Sequence, residues 1–290
     1  MGWIKGVIGV AGVSAVSAFG LAAYGKTHWA GATRALLNRL EATRQQPAVT
    51  HFDAHELDGL PAPVQRYFRA VLKDGQPIVS ALTMQHTGTF NMSLEREQWK
   101  AFTSQQRVVT RGPGFVWNAS MDVVPGLAVR IHDAYVGGEG TLRVAALGLF
   151  SIADLHGPGD MAQGELMRFL AEAAWYPTAL LPSQGVQWEA VDERSANATL
   201  VDGSIRLTML FNFDDVGLIE SARAEARGAT VGKAVVMMPW EVSMSDYQER
   251  EGMRVPLYGE AAWMTPQGRK PYFRGTIASV AYEFAVPEPT

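Results

Sequence analysis

From Ile78 onward the apolar residues of this chain recur at every second position, and that period constrains what it can fold into. Leu82, Met84, His86, Gly88, Phe90 and Met92 alternate with Thr83, Gln85, Thr87, Thr89 and Asn91, as in a strand with one face on a core and the other toward water. The alternation returns at Phe115, Trp117, Ala119 and Met121, and again at Ile205, Leu207, Met209, Phe211 and Phe213. Turn signals stand between these runs at Gly112-Pro113-Gly114 and at Asp202-Gly203, the latter flanked by Ala196–Val201 and Ser204–Phe213 as the arms of a hairpin. Later segments, Val255–Met264 and Tyr272–Phe284, carry large apolar groups on both faces, so both sides need cover. Roughly ten or eleven strands at hairpin spacing point to a large curved sheet or open barrel and away from alternating βαβ units.

Helical periodicity occurs once before this pattern and once within it. Pro63 suits a first turn in Pro61–Leu72, where Val64, Tyr67, Phe68, Val71 and Leu72 form an apolar stripe. Between Gly164 and Pro182, Leu166, Phe169, Leu170 and Ala173 form a second stripe that ends at the Tyr176-Pro177 break. A helix inserted in mid-sheet sequence has a natural seat across the concave face.

The other strong constraint is N-terminal. Val7 to Tyr24 carries no charge and approaches the roughly 20 residues that a helix needs to cross a bilayer. No Ala-x-Ala cleavage site is clear near Ala22 and Ala23, which favours an uncleaved anchor over a signal peptide. Residues 29–44, with Trp29, Leu36, Leu37 and Leu40 among arginines, read as a basic amphipathic helix on anionic headgroups or as a solvated spacer. Lys26, Arg34, Arg39 and Arg44 after the span favour a cytoplasmic domain by the positive-inside rule; a signal-anchor with Lys5 inside favours a periplasmic one. The expected fold class is therefore α+β: a large curved, mainly antiparallel, half-barrel-like sheet with a few packed helices and an N-terminal transmembrane helix. The parts are an anchor at 1–25, a basic amphipathic or spacer helix at 26–55, and a β-rich domain at 56–290.

Composition removes several function classes. A net charge of -4 with no basic run gives no footprint for nucleic acid, and the absence of cysteine excludes disulfides, thiolate metal sites and a cysteine nucleophile. With 47% hydrophobic and 19% charged residues there is ample material for a core. No Gly-x-Ser-x-Gly elbow occurs, and Gly137-Gly138-Glu139-Gly140 reads as a turn between strands, not a phosphate cradle. His51 and His55 flank Asp53 at a separation that two imidazoles on one metal can have, but no third ligand is evident and no metal or other cofactor is expected.

The string Leu60-Pro61-Ala62-Pro63-Val64-Gln65-Arg66-Tyr67-Phe68-Arg69 resembles the opening motif of an uncharacterised bacterial domain family, in which it follows an N-terminal hydrophobic segment. Asp133 to Gly140, Gly164 to Pro182, Pro239-Trp240 with Asp246-Tyr247, Gly259-Glu260 with Trp263, and Pro271 to Gly275 are similar to later parts of that family. The resemblance covers nearly everything after residue 55 and implies a relative without an activity. The layout of helices, long antiparallel sheet and inserted apolar helix is also similar to the LolA-like half barrel of periplasmic lipoprotein carriers. That resemblance implies acyl chains held between sheet and helices, and a domain on the periplasmic side.

Three groups of residues are candidates for ligand contact, and each has a plain structural alternative. Trp117 and Met209, with Met84, Met92, Met121 and Phe211, sit on predicted inner faces and suit a flexible apolar ligand or an ordinary core. Glu165, Arg168 and Glu172 share one helix face beside Trp175 and Tyr176, as a cleft edge or a solvated ion-pair ladder. Asp246, Tyr247, Glu260, Tyr272 and Arg274 lie on late strands near Trp240 and Trp263, as a headgroup site or an ion-pair network. The leading expectation is a membrane-anchored binding module for a lipid or other hydrophobic ligand, with the bilayer as partner and no nucleic acid. It requires an apolar cavity above about 300 Å³. A hydrolase requires two of Glu172, Asp246 and Glu260, or one of them with Arg274, in one cleft. A scaffold or assembly subunit requires an exposed apolar patch.

Overall fold

The computed structural model describes the backbone of residues 2–93, 95–124, 127–231 and 234–287. Side chains are described for residues 20–93, 95–123, 127–229 and 235–287. Helix α1 (Gly2–Thr43) and helix α2 (Ala62–Val71) precede six strands: β1 (Val79–Asn91), β2 (Trp99–Val109), β3 (Gly114–Val124), β4 (Leu127–Val136), β5 (Glu139–Ala146) and β6 (Phe150–Gly157). Helix α3 (Asp160–Glu172) and three short 3-10 turns lead to seven more. These are β7 (Gln187–Ala190), β8 (Ser195–Asp202), β9 (Ile205–Phe213), β10 (Ile219–Val231), β11 (Ala234–Arg250), β12 (Met253–Thr265) and β13 (Gly268–Phe284).

All thirteen strands form one antiparallel sheet in the order β6-β5-β4-β3-β2-β1-β13-β12-β11-β10-β9-β8-β7. Two up-and-down meanders are joined by a single long-range pairing, β1 with β13, whose register runs from Val79↔Phe284 to Phe90↔Phe273. The chain passes from one sheet edge to the other through α3, which touches β3 to β6 on one side and β9 and β10 on the other. The helix therefore lies in the trough of the curved sheet, with its N-terminus at Asp160 and its last α-helical residue at Glu172, four residues before the expected break.

The period-two residues face this trough. Leu82, Met84, Phe115, Trp117, Met121, Met209 and Phe211 are all buried there, whereas Met92, at the end of the run, is half exposed. Tyr67 and Phe68 of α2 close one end of the core, and burial of each such side chain contributes about 1.5–3 kcal/mol. The β8–β9 turn falls one residue later than the sequence suggests: Asp202 pairs with Ile205, and Gly203 and Ser204 form the loop. Gly203 has φ 56°, which a side chain at the first loop position would oppose.

On the convex side, residues 20–43 of α1 pack against β2, β3 and β4. Leu40 meets Val109, Val116, Ala134 and Val136, while Trp29 stacks on His132 at 3.9 Å and donates from Nε1 to Asn118 at 2.9 Å. The apolar side of the basic amphipathic segment is thus committed to the sheet, which makes it neither a headgroup layer nor a solvated spacer. Among the described residues no helix is long and apolar enough to cross a membrane. The side chains of residues 1–19, most of the expected anchor, lie outside the described residues.

Candidate functional site

The trough encloses a cavity of about 80 Å³ between the sheet and the C-terminal half of α3. Trp117, Trp175, Trp240, Tyr272, Phe90 and Phe273 supply aromatic walls, Gly259, Ala261 and Val242 leave the space, and Asp133, Arg168, Glu172 and Arg227 bring charge to it. The volume is below the roughly 300 Å³ expected of a site that swallows a whole drug-sized ligand.

Strand pleat decides which side chains reach the cavity. On β4, Asp133 is in phase with Val129 and Tyr135, so a carboxylate points inward from an otherwise apolar strand face. On β10 a bulge between Ala224 and Arg227 resets the phase: Ala222 and Ala224 are buried, Glu225 and Ala226 turn outward, and Arg227 faces in. A bulge at Ala261/Ala262 leaves Tyr272 without a direct partner, and both Tyr272 and Phe273 line the cavity.

Two guanidiniums anchor the buried charge. Arg168 donates from Nε to Glu172 at 2.7 Å and from Nη1 to Asp133 at 2.6 Å, with its plane 4.8 Å from Phe115 and 5.2 Å from Trp117. Gln106 donates to the other Glu172 oxygen at 2.6 Å. Arg227 donates to the Gly164 carbonyl at 3.0 Å, to Glu165 at 3.1 Å and to the Tyr272 hydroxyl at 3.3 Å, and lies 4.4 Å from the Trp240 ring. The Trp240 indole donates to the same hydroxyl at 2.9 Å. Burial opposes the charge on Arg168, but Glu172, Asp133 and Glu165 outweigh it and keep the guanidinium protonated. Burial, reinforced by Asp133, pushes Glu165 up to about 8, so near neutral pH it holds a proton that its neighbour Asp133 can accept in a hydrogen bond. Two guanidiniums then balance two carboxylates in the buried interior. His86, against Trp175, is lowered to about 3 by burial and by Arg168, and is neutral.

Among the described residues two polar atoms of the lining have no partner, Trp117 Nε1 and Trp175 Nε1, while Asp133 Oδ1 and Glu165 Oε2 are left to share the Glu165 proton. Buried polar groups are normally satisfied, so two indole donors without acceptors at a single cavity are a chemical feature of the site.

Of the predicted ligand contacts, Trp117, Arg168, Glu172, Trp175, Trp240 and Tyr272 line the cavity, and Trp263 stacks behind Tyr272 at 5.7 Å. The solvated-ladder alternative for Glu165, Arg168 and Glu172 is overturned, because the helix face that carries them turns into the trough and all three are buried or nearly so. Tyr176 and Met209 belong to the core, Tyr176 donating to the Phe169 carbonyl at 2.8 Å. Tyr247 donates to Ile219 at 2.8 Å, away from the cavity. The late-strand group divides between the two faces of the sheet. Glu260 stands between cavity-lining Gly259 and Ala261, so it points to the convex side, where it pairs with Arg274 at 2.7 Å and with Arg269. Asp246 is exposed at a positive φ opposite no β12 partner. Glu172 therefore shares no cleft with Asp246, Glu260 or Arg274, and the hydrolase arrangement is not assembled. Asp53 caps the 3-10 turn Ala54–Leu57, and among the described residues no group of three or more His, Asp or Glu is placed to hold a metal. Asp133, Gln106 and Arg227 were not predicted; a charged or amide residue in the apolar phase of β4 and β2 was the available signal for the first two.

A protein-family model described as a family of unknown function (DUF6920) matches residues 58–282. No curated protein matches the sequence. Among solved structures the fold is similar to a LolA superfamily protein from Nitrosomonas europaea, at 10% identity and a TM-score of 0.39, covering 83% of this chain and 96% of that one. A porin-like protein from Bacteroides uniformis follows at 7% identity and a TM-score of 0.24, covering 71% and 96%. A β-barrel-like protein of a domain of unknown function from Brucella abortus matches at 11% identity and a TM-score of 0.21, covering 71% and 99%.

Proposed function

The chain belongs to the DUF6920 family, whose function is unknown, and we propose from its own cavity that it is a binding module for an amphiphilic ligand, tethered to a membrane by residues 1–25. The observation that carries this reading is the aromatic-walled cavity with the unpartnered Trp117 and Trp175 indole N–H groups beside a charge-balanced base. A small polar head that accepts hydrogen bonds would satisfy the two indoles. At about 80 Å³ the cavity takes such a head and not a tail; an apolar tail would lie against half-buried Phe90, Tyr272 and Phe273. The tether rests on the charge-free stretch Val7–Tyr24.

Native mass spectrometry of the full chain, released from membranes in mild detergent, tests the cavity. Ala261 lines it and is buried, so Ala261→Leu fills the space with little change elsewhere. A bound small molecule on the wild type that disappears in this variant, with circular dichroism unchanged, is the expected result. A ligand-free mass for the wild type in every mild detergent tried would refute the reading.

A further inference from the structure

Most of the exposed large apolar side chains of the sheet lie near one set of turns. The antiparallel alternation from β6 through β1 and β13 to β10 turns hairpins β1–β2, β3–β4, β5–β6, β12–β13 and β10–β11 at one end, whereas the β8–β9 turn, of the same parity, curls round to the Gly112 and Gly137 turns. Met92, Phe150, Ile152, Val235, Val236 and Met237 stand near those turns, and each is between 42% and 63% exposed. Elsewhere the exposed large apolar residues are Leu155 on β6 and single valines, such as Val191, Val201 and Val216. Isolated surface valines need no explanation, whereas a concentration of Phe, Ile and Met at one end does.

The β10–β11 hairpin is also longer than its neighbours. Trp240 pairs with Trp263, and β12 turns into β13 at Thr265↔Gly268, so Ala234–Met237 run past the end of β12 with only β10 beside them. At about 3.4 Å per residue this two-stranded ribbon overhangs by roughly 13 Å. A ribbon with exposed Val235, Val236 and Met237 and no third strand is poorly placed in water.

The direction of α1 identifies what covers this end. Thr43 lies at Gly112, in the turn between β2 and β3 at the opposite end of the sheet, whereas Gly25 sits against Leu147 and Leu149 in the β5–β6 turn. A Cβ at Gly25 would come 2.1 Å from the Leu147 carbonyl oxygen, so helix and turn are in direct contact there. The chain N-terminal to Gly25 begins with exposed Tyr24 and Leu21, and it is the stretch that carries no charge back to Val7. The apolar hairpin tips and the apolar N-terminal sequence are therefore at the same end of the domain.

We propose that this end docks on the bilayer, with the β10–β11 ribbon and the tips carrying Met92 and Phe150 entering the acyl boundary. The inference rests on the tethered-module reading and deepens it: Arg227, at the foot of the ribbon, and Phe90, two residues before Met92, both line the cavity, so the site faces the lipid that holds the chain.

The absence of cysteine permits single-cysteine labelling of the full chain with an environment-sensitive fluorophore in phosphatidylcholine–phosphatidylglycerol vesicles. Labels at Met92→Cys, Phe150→Cys and Val236→Cys should shift their emission to the blue and lose intensity with acyl-chain spin-labelled lipid. Labels at Lys73→Cys and Glu139→Cys, on exposed positions at the other end, should do neither. Ser14→Cys reports the tether separately. A lipid-embedded Ser14 label with aqueous tip labels would overturn the docking and leave the tether standing. An aqueous Ser14 label would overturn the tether itself. Tip labels shielded from water and from quenching lipid alike would overturn bilayer docking in favour of a protein contact.

Discussion

Replacing Arg168 by methionine removes one cation from between two buried carboxylates while keeping most of the side-chain volume. In the wild type the guanidinium lies 2.6 Å from Asp133 and 2.7 Å from Glu172, with side-chain exposures of only 12%, 17% and 9%. Breaking a buried pair from one side costs about 3–5 kcal/mol, because the partner charge stays behind without compensation. A folded unit of this size loses about 2–4 °C of melting temperature per kcal/mol, so Arg168→Met should melt roughly 6–20 °C lower by near-ultraviolet circular dichroism in detergent. Gln106 can still donate to Glu172, which places the loss toward the lower part of that range. The triple variant Asp133→Asn, Arg168→Met, Glu172→Gln removes the charges together and should recover much of the deficit. A loss below about 1 kcal/mol for Arg168→Met is what exposed ion pairs give, and it would refute the reading of this cluster as a buried, mutually dependent network.

Two further outcomes follow from the same geometry. Burial and then Asp133 raise Glu165 from 4.5 to about 8, so its contribution to stability is fully present below the unfolded value and is lost as pH rises through the folded one. The wild-type melting temperature should therefore fall between about pH 5 and about pH 8 with a component that Glu165→Gln removes; an unchanged slope in the variant would contradict the assignment. Gly25→Val places a side chain against the Leu147 carbonyl, so α1 should lift from the sheet and become sensitive to trypsin at Lys26 and Arg34. Trypsin resistance equal to the wild type would show that the helix tolerates the crowding.

How much of this was legible in advance depended on whether a local period survived. The β1, β3 and β9 runs and the α2 stripe could be read because each keeps its phase from end to end, and the pleat or the helix turn then fixes the buried face. The late-strand group could not be resolved, because Glu260 and Arg274 are cross-strand partners on one face while Trp240 and Tyr272 point to the other. Sequence proximity does not record which side of a sheet a residue occupies once a bulge intervenes. Arg227 escaped notice for that reason: one extra residue after Ala224 moves it from the expected outer phase to the inner one.

By itself, then, the sequence determined most of the thirteen strands, the helices and an inserted segment, since these follow from periods of two and 3.6 that each residue reports to its near neighbours. The tertiary structure alone decided that β1 closes on β13 across some two hundred residues and that the charged face of α3 turns inward. The physical reason is range. Burial of Glu165, Arg168 and Glu172 is affordable only because Asp133, Gln106 and Arg227 arrive from β4, β2 and β10, and nothing in the helix itself announces partners supplied by strands so distant in the chain.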